Sequence, residues 1–291
     1  HINFILKMRD IDLYCMCLND HHLSNIKKQG YIPVGLGNNK FSSDWIRDNT
    51  GVNISNKNPN YGEYTFYYWF WKNILPNLED NKWAGFCGYR YHWAQNNKLK
   101  SEEITKIVNQ DNFQNFILSS TPKEWNNYDL ILGEQWFTDK WKLMKILKKG
   151  KKFLLTNPFA FLKKNRNIKL HFDFFHGKGI LDQAINALDD NEREDFRFFT
   201  KNKKSFNREN LFICRSKKLM DSYFQSVFKW LEKCEQIEDI NKMALGNDYA
   251  SRRIYAFLAE RYLSYWFQKY GRALEWPIFF FDTNKFKVNI K

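Results

Sequence analysis

Four short apolar runs in the first half of the chain set the tightest limit on what it can fold into. Ile11–Leu18 (IDLYCMCL) is closed by the turn-prone Asn19-Asp20, and Tyr31–Leu36 by Gly37-Asn38-Asn39. Trp83–Gly88 (WAGFCG) and Tyr128–Leu132 (YDLIL) each follow a polar stretch. Runs this short, bounded by turn residues, predict buried strands. Leu211–Cys214 and Trp276–Phe281 (WPIFFF) add later ones.

Helical pattern dominates the remainder. Residues 21–29 predict a short helix. A longer one is expected from Asn58-Pro59 to about Leu75, because Asn caps a helix start and Pro suits its first turn. Apolar residues surround that segment on every side, so it should be buried. Ser101–Val108, Trp136–Leu147, Ile180–Leu188, Leu219–Glu235 and Tyr249–Tyr270 complete the set. Strands first and helices later predict an α/β fold, a sheet flanked by helices with a helix-rich C-terminal half. A single domain over 1–291 is expected, with an α/β nucleotide-binding half at about 1–135 and a helix-rich half at about 136–291. In such sheets ligands bind at the carboxyl ends of the strands. That rule brings Asn19-Asp20 and the loops after Gly88 and Leu132 together.

The formal net charge is +14 and aromatics make up 18% of the residues. The charge suits nucleic acid, a phosphorylated substrate or an anionic membrane surface. The runs Lys148–Lys152 and Lys201–Lys204 also fit plain solvated loops. Aromatic faces stack on sugars and bases as well as filling cores. The five cysteines, Cys15, Cys17, Cys87, Cys214 and Cys234, form no CxxC pair and predict buried free thiols in a reducing compartment. No apolar run reaches the roughly 18 residues of a membrane span. No signal peptide is read at the N-terminus. A cytoplasmic protein is expected, with peripheral contact at the inner membrane face compatible with its charge.

Four constellations can carry chemistry. The loop Asn49–Asn58, with Lys57, leads into a helix bearing Glu63, and a polar loop at a helix start is a natural anion site. A carboxylate on an apolar helix needs a partner or a ligand hydroxyl. The turn Gly88–Trp93 sets Arg90 between Tyr89 and Tyr91, suited to a phosphate and a stacked ring. His171–Asp182 supplies His171, Asp173, His176 and Asp182, acids and imidazoles fit to take a hydroxyl proton. Arg253 and Glu260 are seven apart on one predicted helix and read as an ion pair, with a pyrophosphate clamp as the alternative. There is no GxGxxG, P-loop or nucleophile elbow, and no Asp-x-Asp metal motif follows a strand.

The ordered strings NTGVNISNKNPNYGEYTFYYWFWKN, WAGFCGYRYHW and YDLIL resemble the bacterial glycosyltransferase-like family catalogued as domain of unknown function 4422. Asn210-Leu-Phe-Ile and the segment Arg253–Arg261 (RIYAFLAER) extend the resemblance over most of the chain. It implies a GT-A-like sheet that binds a nucleotide sugar. It also implies transfer from a UDP-sugar, with a galactofuranose-type donor among the family's links, to a capsular or lipopolysaccharide glycan or its lipid-linked precursor. Carried across by residue, Ser55, Lys57, Asn58, Glu63, Tyr89, Arg90, Asn210 and Arg253 fall on family positions and are expected to bind the donor, with Tyr91 beside them. The chain departs at Gly88, where the family has His, at Tyr91, where it has Arg, and at Ile180, where it has an acid. Asp182 is then the expected base and His176 its rival. With Arg90 where a metal motif would stand, metal-independent transfer is expected, manganese or magnesium being the alternative. The opposing class is a non-enzymatic nucleic-acid- or glycan-binding module, for which salt-dependent oligonucleotide binding is the mark.

Overall fold

The computed structural model describes residues 10–138, 162 and 166–283. Its strands are β1 (Ile11–Cys17), β2 (Ile32–Gly35), β3 (Ile46–Arg47), β4 (Trp83–Gly88), β5 (Tyr91–Trp93), β6 (Leu130–Gly133), β7 (Gln135–Phe137), β8 (Ser205–Asn207), β9 (Phe212–Cys214), β10 (Ala273–Trp276) and β11 (Ile278–Phe280). Seven of them form one sheet in the order β10-β6-β9-β4-β1-β2-β3. Strand β9 runs antiparallel to both neighbours. The other pairings in the sheet are parallel. The expected α/β architecture is present, and β9 and β10 bring the later part of the chain into the same sheet.

Helices cover this sheet because their apolar faces have nowhere else to go. Lys217–Glu235 buries Tyr223, Phe224, Val227, Phe228, Trp230 and Leu231 along one face. Ile254–Tyr270 and Tyr64–Asn73 pack against it, each largely buried. The aromatic surplus is mostly spent on this layer. Tyr67 lies 4.5 Å from Phe86, Phe86 5.0 Å from Phe212, and Phe212 5.0 Å from Phe267, ring centroid to centroid. Such pairs favour tilted and edge contacts. All five cysteines are free and buried.

Three expected elements are broken. The helix expected from Asn58 stops at Tyr61 and resumes at Tyr64, because Gly62 takes a left-handed φ of 56°. Asn58 does not cap it with its side chain. The helix expected over Tyr249–Tyr270 divides at Arg253 into Tyr249–Arg252 and Ile254–Tyr270. WPIFFF divides at Pro277, which has no N–H for a ladder. There the chain leaves β6 and pairs with β5 instead. Trp136 opens no helix, since it lies in β7. The rest of that expected helix and the Lys148–Lys152 run fall outside the described residues. Among the described residues no helix is long and apolar enough to cross a membrane.

Candidate functional site

A cleft of about 280 Å³ opens at the carboxyl ends of β1, β2 and β4, where Leu18, Leu36 and Gly88 form its apolar edge. Asn58, Glu63, Tyr89, Arg90, Tyr91, Asn210 and Arg253 all line it. The sequence places these residues on four separate segments, and the fold brings them together.

Gly62 makes the first contribution. A Cβ there would lie 2.2 Å from Arg253 Nη2, so the guanidinium sits directly against the glycine. The break at Gly62 turns Glu63 toward the cleft. Its Oε2 accepts from Arg253 Nη2 at 2.7 Å and its Oε1 from Asn210 Nδ2 at 2.5 Å. The carboxylate that an apolar helix left unexplained therefore has two partners, and Arg253 pairs with Glu63 rather than with Glu260 as expected. Arg253 Nη1 also donates to Tyr249 Oη at 2.9 Å, and Tyr249 is 68% exposed at the rim. Asn58 bridges the break from below, donating to the Gly62 carbonyl and to Thr65 Oγ1. Thr65 in turn donates to the fully buried Asp48, whose pKa is raised by that burial.

The β4–β5 turn supplies the opposite wall. Tyr89 stacks on His22 with ring centroids 4.7 Å apart, and the exposed Arg90 lies 5.0 Å from the Tyr89 ring centroid. Among the described residues no carboxylate is within ion-pair distance of Arg90. The turn is pinned from the far end of the chain: Phe281 N donates to the Arg90 carbonyl and Thr283 Oγ1 to that of Tyr89.

The third wall holds a residue absent from the sequence expectations, Glu209. It sits just before β9 with φ of 71°, followed by Asn210 at 56°. Two successive left-handed residues other than glycine cost backbone energy and persist only when their surroundings impose them. Here Tyr64 Oη donates to Asn210 Oδ1, Tyr67 Oη to its carbonyl, and the Glu209 amide to Glu260 Oε1 at 2.8 Å. The half-buried Glu209 carboxyl is raised from 4.5 to about 7, first by burial and then by the neighbouring Glu260 charge, with Arg208 opposing. Tyr91 hydrogen-bonds it; burial and that carboxylate push Tyr91 up to about 12, so the phenol keeps its proton and donates. Arg208 and Glu209 form a charged pair directly ahead of an apolar strand run, which was the available signal.

Four expected site residues lie elsewhere. Lys57 Nζ is held by Glu235 at 2.7 Å, which also accepts from Tyr61 Oη. Ser55 bonds to Asn53 within its own loop. Asp182 pairs with Lys169 at 2.8 Å and lines no part of the cleft. His176 is buried behind the cleft, stacked at 4.1 Å on Phe257, with Arg261 Nη2 3.5 Å from its Nε2. Its neighbour His171 receives Arg261 Nη2 at Nδ1, 3.1 Å away. Burial and Arg261 keep the His171 pKa well below the usual histidine range. Arginine only donates, so both rings act here as acceptors.

A second cavity, of about 470 Å³, meets the cleft at Tyr91 and Glu209, which line both. It is bounded by the start of the helix Ser101–Ile107, by Glu134 and by β7. Among the described residues no three His, Cys, Asp or Glu side chains converge as a metal-ligand group.

Residues 14–271 match the family described as Domain of unknown function (DUF4422). No curated protein matches. Among solved structures, the apo form of the bifunctional glycosyltransferase WbbM superposes with a TM-score of 0.57 at 19% identity, over 93% of this chain and 45% of that one. The chain thus spans less than half the length of that structure, and the likeness is one of fold.

Proposed function

The chain belongs to the DUF4422 family, and on that premise we propose that it is a glycosyltransferase working from a UDP-sugar. The observation that carries this reading is Glu209: a carboxyl raised to about 7, set where a cleft at the strand ends meets a second cavity. A base poised near working pH is what removal of a proton from a sugar hydroxyl needs. The family and the fold of a glycosyltransferase neighbour point to the same chemistry.

In this reading the donor lies in the cleft. Arg90 takes the diphosphate, and Arg253 is shared between Glu63 and the phosphates. Tyr249 offers a stacking face for the base. Glu209 accepts the proton of the acceptor hydroxyl while that oxygen bonds to the anomeric carbon. The bond from this carbon to the diphosphate breaks, and its electron pair leaves on the diphosphate. Asp182 and His176 give way to Glu209 as the base. A galactofuranose-type sugar and a capsular or lipopolysaccharide glycan acceptor, met at the inner face of the membrane, are the specific form we infer from the family resemblance.

A thermal-shift screen against nucleotides and nucleotide sugars tests the class. Stabilisation by UDP and UDP-sugars, and not by AMP or by oligonucleotides, is expected; stabilisation by oligonucleotides alone overturns it. Because Arg90 supplies charge at the diphosphate, turnover is expected to survive EDTA. Loss restored by manganese overturns that part.

A further inference from the structure

We propose that the second cavity holds the terminal sugar of the acceptor, and that this sugar is uncharged. The inference rests on the transferase reading and adds the acceptor's chemical class to it.

Position comes first. The cavity and the donor cleft touch only through Tyr91 and Glu209 among the described lining residues. A hydroxyl presented from the cavity therefore meets the Glu209 carboxylate, and through it the reacting end of the donor. A volume of about 470 Å³ accommodates a small ligand, since such sites run to about 300–1,000 Å³.

Charge comes second. Five glutamates, among them Glu134 and Glu275, face Lys100, Lys106 and Arg208 in the described lining. The whole chain carries +14, with 46 Lys and Arg against 32 Asp and Glu, so this cavity reverses the sign of the protein around it. Glu134 is already engaged by Lys100 and Ser101. That leaves Lys100 less free to receive an anion. A phosphate or uronate would enter against a surplus of carboxylates. Neutral hydroxyls, in contrast, donate to carboxylates in charge-assisted hydrogen bonds.

Shape comes third. Trp136 is half-buried on β7, with the Arg208 guanidinium 5.1 Å from its ring centroid, and Ile278 lies on the same lining. An indole beside an aliphatic side chain offers the C–H face of a sugar ring an apolar surface. Gln135 Nε2 donates to Glu275 Oε1 at 2.5 Å, which fixes one acceptor next to it.

The test uses the full chain and saturation-transfer NMR with p-nitrophenyl glucoside, galactoside and mannoside beside p-nitrophenyl glucuronide, with UDP binding followed separately by thermal shift. At least one neutral glycoside is expected to bind saturably and the glucuronide at least about tenfold more weakly, the scale of a one-contact discrimination. Trp136→Ala should weaken the neutral glycoside about tenfold and leave UDP binding as it was. Glu275→Lys, at an exposed position, should narrow the neutral-to-uronate preference, and it carries the test if the tryptophan variant does not fold. Binding of the glucuronide as tight as that of the neutral glycosides, no neutral binding at all, or a preference untouched by Glu275→Lys overturns the proposal. Absence of any UDP stabilisation is a separate result that strikes the transferase reading itself.

Discussion

Two polar segments flank the helix Tyr64–Asn73, and they use their hydrogen bonds in opposite ways. The loop Asn49–Lys57 turns them inward. Trp69 Nε1 donates to the Thr50 carbonyl, Asn73 exchanges bonds with both backbone groups of Val52, and Lys57 is bound by Glu235. A Cβ on Gly51 would lie 2.3 Å from Asn73 Oδ1, so the loop closes directly on the helix end. The turn Arg208–Asn210 does the reverse. Asn210 takes up the hydroxyls of Tyr64 and Tyr67 and the Glu63 carboxylate, which leaves the Glu209 carboxyl directed at two cavities. One segment is a clamp and the other a mount.

The contrast breaks most sharply at Glu209. Glu209→Gln is expected to lower kcat by about 10²–10⁴-fold, the usual worth of a general base, with UDP affinity unchanged in calorimetry. Turnover near wild type would return the role to Asp182, whose Asp182→Asn variant is expected to be active.

Next in size is Gly62→Ala. A left-handed backbone and a collision with Arg253 together should cost about 1–3 kcal/mol in chemical denaturation and weaken UDP binding. Unchanged UDP affinity would remove Arg253 from the donor site.

The pH dependence follows from the raised carboxyl. Glu209 is ionised only above its pKa, so kcat/KM should rise with pH through about 7. Glu260→Gln removes the like charge beside it and should move that midpoint to lower pH; a midpoint that stays put detaches the limb from Glu209. Stability has the opposite sign. With the folded value above 4.5, the contribution is present in acid and lost as pH rises toward about 7. The fall in Tm across that window should be shallower in Glu209→Gln.

The smallest effect is expected in the clamp. Lys57→Met removes a partly exposed ion pair and should cost no more than about 1 kcal/mol, with kcat retained. A large loss of kcat would make the loop part of the donor site after all.

Much of the scaffold was legible. The runs at Ile11, Tyr31, Trp83, Tyr128 and Leu211 all became strands of the central sheet, because short apolar runs between turn residues have few other stable uses. The buried helix was legible from its all-round apolar pattern, though not its break at Gly62, where Arg253 packs from 191 positions away. Asn58, Glu63, Tyr89, Arg90, Tyr91, Asn210 and Arg253, singled out on or beside the family-like strings, line one cleft. The setting of Glu209 was not legible because nothing local distinguishes it from any surface glutamate, nor was the pairing of Lys57, because its partner Glu235 is 178 residues away.

The sequence by itself determined five of the central sheet's strands and which helix must be buried, since periodicity and turn chemistry act over a few residues. Tertiary structure alone decided the pairings and the acidities. Glu63 meets Arg253 across 190 positions. The Glu209 carboxyl is raised toward neutrality because packing strips away its water and sets Glu260 beside it. Desolvation and Coulomb terms depend on distances in space, and those exist only once remote segments have packed.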